Sequence, residues 1–329
     1  MSAAPGPLVR GEGLTRAFHR RGGLFHRGAP VMALRGVDIA VNRGEAVGVV
    51  GESGCGKSTL GRVLLRLMPP TGGRVLFDGE DLAQQPAAHL RALRRRMQMV
   101  FQDPFGSLDP RRTVGAQIAD GMQIHGLAHG SGARDAVAAL LKQVGLDPDH
   151  ARRLPHEFSG GQRQRIAVAR ALSTRPDFIV ADEPVSALDV SIQAQVVNLL
   201  ADLRAELGLA LLFISHDLHV VRHLCDRVVV MYLGRVMEEG PARDIFRAPA
   251  HPYTRALLAA TPSLRHRGTA GAPLAGEVPS IANPPSGCVF RTRCTMAQPA
   301  CAEAVPPIEP MPGAADRRIA CLRAAELSP

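Results

Sequence analysis

The chain has 329 residues, 46% of them apolar, which suits about two domains of roughly 150 residues with ordinary cores and excludes a wholly disordered chain. No run approaches the ~18 consecutive apolar residues of a membrane-spanning helix, and Met1 to Leu14 lack the apolar core of a signal peptide, so a cytoplasmic location is expected. The balance of 39 basic and 30 acidic residues gives +9, carried almost wholly by arginine; with aromatics at 4% and no zinc-finger or RNA-recognition pattern, it reads as a solvated surface rather than a nucleic-acid interface.

Up to about residue 258, short apolar strands alternate with longer helical stretches, the pattern of an α/β domain. Strands are expected at Val31 to Val41, Ala46 to Val50, Met97 to Phe101, Phe178 to Ala181, Leu209 to Ile214 and Arg227 to Tyr232. Helices are expected at Val114 to His125, Ala133 to Val144, Gln162 to Leu172, Ser191 to Leu207 and Leu218 to Leu224. From Thr261 the composition shifts to Pro, Gly and Ala with little periodicity. That tail reads as a loop-rich appendage that apolar burial alone does not easily hold together.

The segment Gly51-Glu52-Ser53-Gly54-Cys55-Gly56-Lys57-Ser58 fits G-x-x-x-x-G-K-[ST], between an apolar strand and a helical stretch that begins with Ser58 and Thr59. Glycines let the backbone curl so that N–H groups converge on phosphate oxygens, and the helix adds its positive end. Lys57 is expected on the β- and γ-phosphates and Ser58 on Mg²⁺. A glycine-rich turn can arise without a ligand, but here both flanks match. Cys55 reads as a small tolerated residue. Further on, Phe178-Ile179-Val180-Ala181-Asp182-Glu183 is an apolar strand ending in two carboxylates. Such a pair is usually a solvated strand end. Beside a phosphate loop, Asp182 suits a Mg²⁺-holding role and Glu183 a general base that polarises the attacking water.

Phe158-Ser159-Gly160-Gly161-Gln162 resembles the signature motif of ATP-binding-cassette (ABC) ATPases, with Phe158 where leucine is commonest. Gln102 in Phe101-Gln102-Asp103-Pro104 resembles the Q-loop, Ser186-Ala187-Leu188-Asp189 the D-loop, His216 in Ser215-His216-Asp217 the switch histidine, and Phe18 the aromatic that stacks on adenine, usually tyrosine. Each is weak alone; together, in the family's order, they are specific. The resemblance implies a P-loop NTPase core of the ABC type with a β-rich N-terminal subdomain and a helical subdomain at about 105–160. It also implies head-to-tail closure of two such domains. ATP and Mg²⁺ would lie among Phe18, Gly51, Ser53, Gly54, Gly56, Lys57, Ser58, Thr59, Gln102 and Asp182. Ser159 and Gly161 would contact the γ-phosphate across the interface, His216 would sense it, and Asp189 would couple the two sites.

Gln102 to Arg111, His251-Pro252-Tyr253-Thr254 and Pro284-Pro285-Ser286-Gly287-Cys288 resemble the ATPase subunits of dipeptide and oligopeptide importers, with glutathione and nickel importers as relations. Leu24 to Val31 resembles the longer loop of the type that pairs with a second, non-identical ATPase. This likeness implies a nucleotide-binding domain over residues 1–258 and an importer-type tail over 259–329. The chain would sit peripherally on the cytoplasmic face of the inner membrane with two permeases, a second ABC ATPase and an extracytoplasmic solute-binding protein, without direct nucleic-acid contact. The rival readings are a soluble ABC ATPase acting on ribosomes or nucleic acid, which would ordinarily carry tandem cassettes or a coiled coil, and an export ATPase.

Of six cysteines, Cys55 and Cys225 stand apart, the latter reading as a packed core residue. Cys288-x5-Cys294-x6-Cys301-x19-Cys321 offers four thiolates, and the spacing alone leaves an iron–sulfur cluster, zinc or free thiols open. In the importer subfamily the equivalent cysteines bind a [4Fe–4S] cluster, and the resemblance implies one here.

Overall fold

The computed structural model describes residues 6–19, 30–103, 106–260 and 276–327. Residues 24–29 of the long-loop resemblance, Pro104 and Phe105 of the Q-loop segment, and the start of the tail at Thr261 lie outside that set. The chain divides into two compact units, Met1–Val9, Val41–Ala46 and Leu76–Ser215 in one, and Arg10–Ala40, Val47–Val75 and His216–Pro329 in the other.

In chain order the strands are β1 (Val9–Phe18), β2 (Val31–Val41), β3 (Ala46–Val50), β4 (Gly72–Phe77), β5 (Glu80–Asp81) and β6 (Met97–Val100). They continue with β7 (Phe178–Asp182), β8 (Ala210–Ile214), β9 (Arg227–Tyr232), β10 (Arg235–Pro241), β11 (Glu309–Met311) and β12 (Ala314–Ile319). The first helices are α1 (Lys57–Leu64), α2 (Ala87–Arg96), α3 (Val114–Ile124), α4 (Gly130–Gln143) and α5 (Gly160–Leu172). They are followed by α6 (Val190–Leu207), α7 (Leu218–Leu224), α8 (Ala242–Arg247), α9 (Pro252–Ala259) and α10 (Ala300–Glu303). The strands Val31–Val41, Ala46–Val50 and Arg227–Tyr232 and the helix Leu218–Leu224 form at the bounds expected from the sequence. Helices α3 to α6 shift by three residues or fewer.

In the first unit, β6, β7 and β8 run parallel, with Val100 opposite Ala181 and Asp182 opposite Ile214. Every residue of β7 and β8 is buried, as expected of strands covered on both faces. Helices α3, α4 and α5 pack on one another. The buried Gln117 of α3 accepts from the Asp109 N–H at 2.8 Å and donates to the carbonyls of Asp109 and Arg112, each at 2.9 Å, so it satisfies the loop that precedes its own helix. Long α6 is capped by Asp189 and ends at Gly208, whose φ is +64°.

In the second unit, β2, β1 and β4 lie side by side in that order. There β3 runs parallel to β9, which turns back into antiparallel β10 through Leu233 and Gly234. Both turn residues have positive φ, 44° and 80°, as a two-residue hairpin with the sheet's twist requires.

The tail departs from expectation. Rather than loop alone, it supplies β12 as a further antiparallel strand beside β10, with Glu238 opposite Ile319, and β11 beside β12. It also has an apolar core of Ala250, Met311, Ile319 and Leu327, with Met296, Ala314, Cys321 and Ala324 packed against it. Apolar burial is therefore part of what holds the tail, because β10 offers an edge on which a short strand can pair. No described helix is long and apolar enough to cross a membrane.

Candidate functional site

The phosphate loop leaves the carboxyl end of β3 and runs into α1. Its glycines are needed for space. Gly51 has φ +147°, and a Cβ there would stand 2.1 Å from the Met231 carbonyl oxygen; Gly56 has φ +107°, and a Cβ would stand 2.4 Å from that of Ala33. Ser53 and Gly54 are exposed at the loop's tip, and Ser58 and Thr59 are half-buried in the first turn of α1. Lys57 is 5% exposed, and its ammonium donates to the carbonyls of Gly51 at 2.7 Å and Glu52 at 3.1 Å, holding the loop curled. Cys55, read from the sequence as a small tolerated residue, lies in the core. It is 3% exposed, burial pushes its thiol pKa up, and its carbonyl accepts from the Gly234 N–H at 2.9 Å, tying the loop to the β9–β10 turn.

The second residue of this loop is bound by the tail. The Glu52 carboxylate receives both terminal nitrogens of Arg293, at 2.7 and 3.1 Å, and the Glu52 N–H donates to the Tyr253 hydroxyl at 2.9 Å. Arg293 also donates to the Tyr232 hydroxyl at 3.3 Å. Tyr232, Tyr253 and Phe290 form one ring cluster, with centroids 4.7 to 5.4 Å apart. Burial works against the charged guanidinium of Arg293, but its hydrogen bonds to Glu52 and Tyr232 more than offset that and raise its pKa. Sequence reasoning attached no role to Glu52, Tyr253 or Arg293. The only trace was the His251-Pro252-Tyr253-Thr254 resemblance, because 241 positions separate Glu52 from Arg293.

In the first unit, Asp182 ends β7 at 1% exposure, and Glu183 follows with φ +45°. That left-handed turn is strained for a side-chain-bearing residue. It is held by the Glu183 N–H donating to Ile214 at 2.9 Å and by the Ser186 N–H and hydroxyl donating to the Glu183 carbonyl, at 3.3 and 3.1 Å. Gln102, just past β6, donates its amide to the Glu183 carboxylate at 3.1 Å. These two sequence-predicted residues, 81 positions apart, are thus brought into contact.

Ser159 caps α5 in a capping box: its hydroxyl accepts from the Gln162 N–H at 3.3 Å, and the Gln162 side chain accepts from the Ser159 N–H at 3.0 Å. A Cβ on Gly161 would stand 2.3 Å from Ile192 Cγ2, so this helix N-terminus packs closely on α6. Asp189 caps α6, accepting from the Ser191 hydroxyl at 2.6 Å and the Ile192 N–H at 3.0 Å, in that order the causes of its lowered pKa. His216 is exposed between β8 and α7, where Asp217 caps the helix through the His219 N–H at 2.8 Å. Phe18 is exposed at the end of β1 with the Arg16 guanidinium 5.1 Å above its ring. Cys225 is buried at 7% exposure, as expected.

Cys288, Cys294, Cys301 and Cys321 all line one cavity of about 20 Å³ with His251, Phe290 and Leu327 among its other walls. The Cys288 thiol is pushed up to about 11, by burial first and then by the neighbouring cysteines; Cys294 and Cys321 are raised for the same reasons. Among the described residues, no three His, Cys, Asp or Glu side chains are grouped tightly enough to hold a single metal ion.

Two family descriptions match, ABC transporter over residues 34–186 and oligopeptide/dipeptide transporter, C-terminal region, over residues 237–301. A protein of Brucella ovis named a peptide import ATP-binding protein is 54% identical over 309 residues, covering 93% of this chain and 96% of its own. The oligopeptide transport ATP-binding protein AppF of Bacillus subtilis is 52% identical over 294 residues, 88% of this chain and 89% of its own. Among solved structures, a dimeric post-hydrolysis state of the ATP-binding cassette MJ0796, bound to ADP and Pi, aligns with TM-score 0.64 at 30% identity, covering 71% of this chain and 99% of that one. A phosphate loop after a buried strand in an α/β domain marks a P-loop NTPase, and the family match narrows it to an ABC ATPase. The chain belongs to the ABC transporter ATP-binding proteins, in the group that carries the oligopeptide/dipeptide transporter C-terminal region.

Proposed function

We propose that the chain is the ATP-hydrolysing subunit of a membrane importer for di- or oligopeptides or a related small solute. The observation that carries this reading is end-to-end likeness: relatives named for peptide import and oligopeptide transport match across 93% and 88% of the chain. Phe18 stacks on adenine. The N–H groups of the loop from Gly51 to Gly56, through Ser53 and Gly54, with Lys57, Ser58 and Thr59, hold the phosphates. Glu183 takes the proton of the attacking water as the bond from Pγ to the β–γ bridging oxygen breaks, leaving ADP and phosphate. Support for that role is the Gln102 amide, which fixes the carboxylate at 3.1 Å. Ser159 and Gly161, at a helix N-terminus, suit the γ-phosphate of a nucleotide held by a facing ATPase. His216 senses that phosphate, and Asp189 links the two nucleotide sites.

Ser58, Gln102 and Asp182 offer hard oxygen donors of the kind Mg²⁺ takes, and the ion would supply positive charge to the β- and γ-oxygens. Cys288, Cys294, Cys301 and Cys321 would hold a [4Fe–4S] cluster. Supporting this are four thiols gathered around one cavity, the number of donors such a cluster takes. Such a cluster would cross-link three stretches of the tail. Two permeases would provide the path at the cytoplasmic face of the membrane, with a second ATPase facing this one and a solute-binding protein outside. Tagged purification from gently solubilised membranes tests the reading: permeases and a second cassette ATPase are expected, and ribosomal partners without a permease would overturn it.

A further inference from the structure

The phosphate loop carries a liability in its second residue. Glu52 is a carboxylate inside the loop that has to accept the polyphosphate of ATP, and a like charge there opposes binding. The tail cancels it. Arg293 meets Glu52 with a two-pronged ion pair at 2.7 and 3.1 Å, its side chain 4% exposed against 20% for Glu52. Buried, bidentate arginine–carboxylate pairs are the strong kind, and removing one partner leaves the other charge uncompensated.

Arg293 is held in turn by the cysteine loop. The Arg291 N–H donates to Cys288, the Arg293 N–H to Phe290 and the Cys294 N–H to Arg291, a run of tight turns spanning Cys288 to Cys294. The Cys288 N–H donates to the Cys301 carbonyl at 2.8 Å, closing the loop onto the third cysteine. Whatever ties these cysteines together thereby fixes where the guanidinium stands. On this geometry we propose that Arg293 is the charge-neutralising, positioning residue of the phosphate loop, and that through it the four-cysteine cavity and the nucleotide site are coupled. The coupling, though not the role of Arg293, rests on the reading of these cysteines as cluster ligands.

The test uses the full chain, purified anaerobically, with a fluorescent ATP analogue as probe and iron and sulfide assayed on every sample. Arg293→Gln is expected to weaken nucleotide binding about tenfold. Arg293→Lys, which keeps the charge, should retain most of the affinity, and Glu52→Gln/Arg293→Gln should restore binding to within about twofold of wild type, since no bare carboxylate remains. Rescue by the second substitution is what a merely structural role would not produce. Stripping iron with a chelator should weaken binding in wild type and leave the double variant unchanged. By reciprocity, ATP should slow iron loss from wild type alone.

Wild-type affinity in Arg293→Gln, or a double variant as weak as the single one, would overturn the role of Arg293. Unchanged affinity on stripping a protein shown to hold iron and sulfide would overturn the coupling. Protein without iron or sulfide would defeat the cluster reading and the coupling with it, while the variant series still decides on Arg293.

Discussion

Glu238 of β10 and Arg317 of β12 form an ion pair closed off from water, 2.5 Å between Oε1 and Nη2 with side chains 0% and 3% exposed. The same carboxylate accepts from the N–H groups of Ala250 and His251, each at 3.0 Å, and Arg317 donates to the Ala248 carbonyl at 2.9 Å. One buried carboxylate thus joins the tail strand to the approach to α9, on which the phosphate-loop tyrosine stands. Glu238→Ala leaves a buried arginine unpaired, and its cost should be about 3–5 kcal/mol. Urea unfolding of the purified chain measures it; a loss below about 1 kcal/mol, the size of a surface pair, would show that the guanidinium finds water instead.

Glu183→Gln keeps the shape of the side chain beside Gln102 and removes only the carboxylate proposed as the base. ATP should still bind, while turnover falls by about 10²–10⁴, the usual worth of a positioned general base. Single-turnover hydrolysis with bound ATP separates the two steps. Near-normal turnover would move the base elsewhere.

The glycines of the phosphate loop should not be equivalent. Gly56→Ala and Gly51→Ala each drive a Cβ into a backbone carbonyl, 2.4 and 2.1 Å away, which neither rotamer change nor side-chain motion relieves. Gly54 has φ +76° with nothing within 4 Å of its Cβ, so Gly54→Ala carries the left-handed strain alone. Thermal melting should therefore rank Gly54→Ala as the mildest, at about 1 kcal/mol, with the other two costing at least about 2 kcal/mol.

His251 gives the tail an acid limit. Burial holds its imidazole down to about 4, against opposition from the Glu238 carboxylate and the Ala320 carbonyl, and its Nδ1 accepts from the Tyr253 N–H at 3.0 Å. Between its unfolded value near 6.5 and the folded value, the unfolded chain binds the extra proton. Stability therefore rises with pH through that window: it is fully present above about 6.5 and lost as pH falls towards 4. The contribution is about 3 kcal/mol. Urea midpoints for wild type and His251→Asn, whose side chain can still cap α9, should converge as pH falls from 7 to 4.

Legibility followed range. The phosphate loop, the acid pair at the end of β7 and strands β2, β3 and β9 were readable because each is a local pattern: a glycine spacing, an apolar run, a turn at its end. Strand β10 was not, because Glu238 and Glu239 interrupt its apolar run; their partners, Arg317 and Arg318, arrive from β12 about 80 residues later. Strand β1 was diluted by Gly11 and Gly13, and α2, with only Leu93 buried, carries too thin an apolar stripe.

By itself the sequence determined the class of catalytic machinery, since phosphate binding by backbone N–H groups needs a particular run of glycines and that run is contiguous. It also determined that four cysteines crowd the tail. Only the tertiary structure decided that the tail supplies strands to the second unit's sheet, that Glu238 is paired rather than solvated, and that Arg293 reaches the phosphate loop. Those are properties of buried charge. A carboxylate stands at zero exposure only where folding brings donors or an opposite charge to it, here the Arg317 guanidinium, and no spacing along the chain records which group arrives.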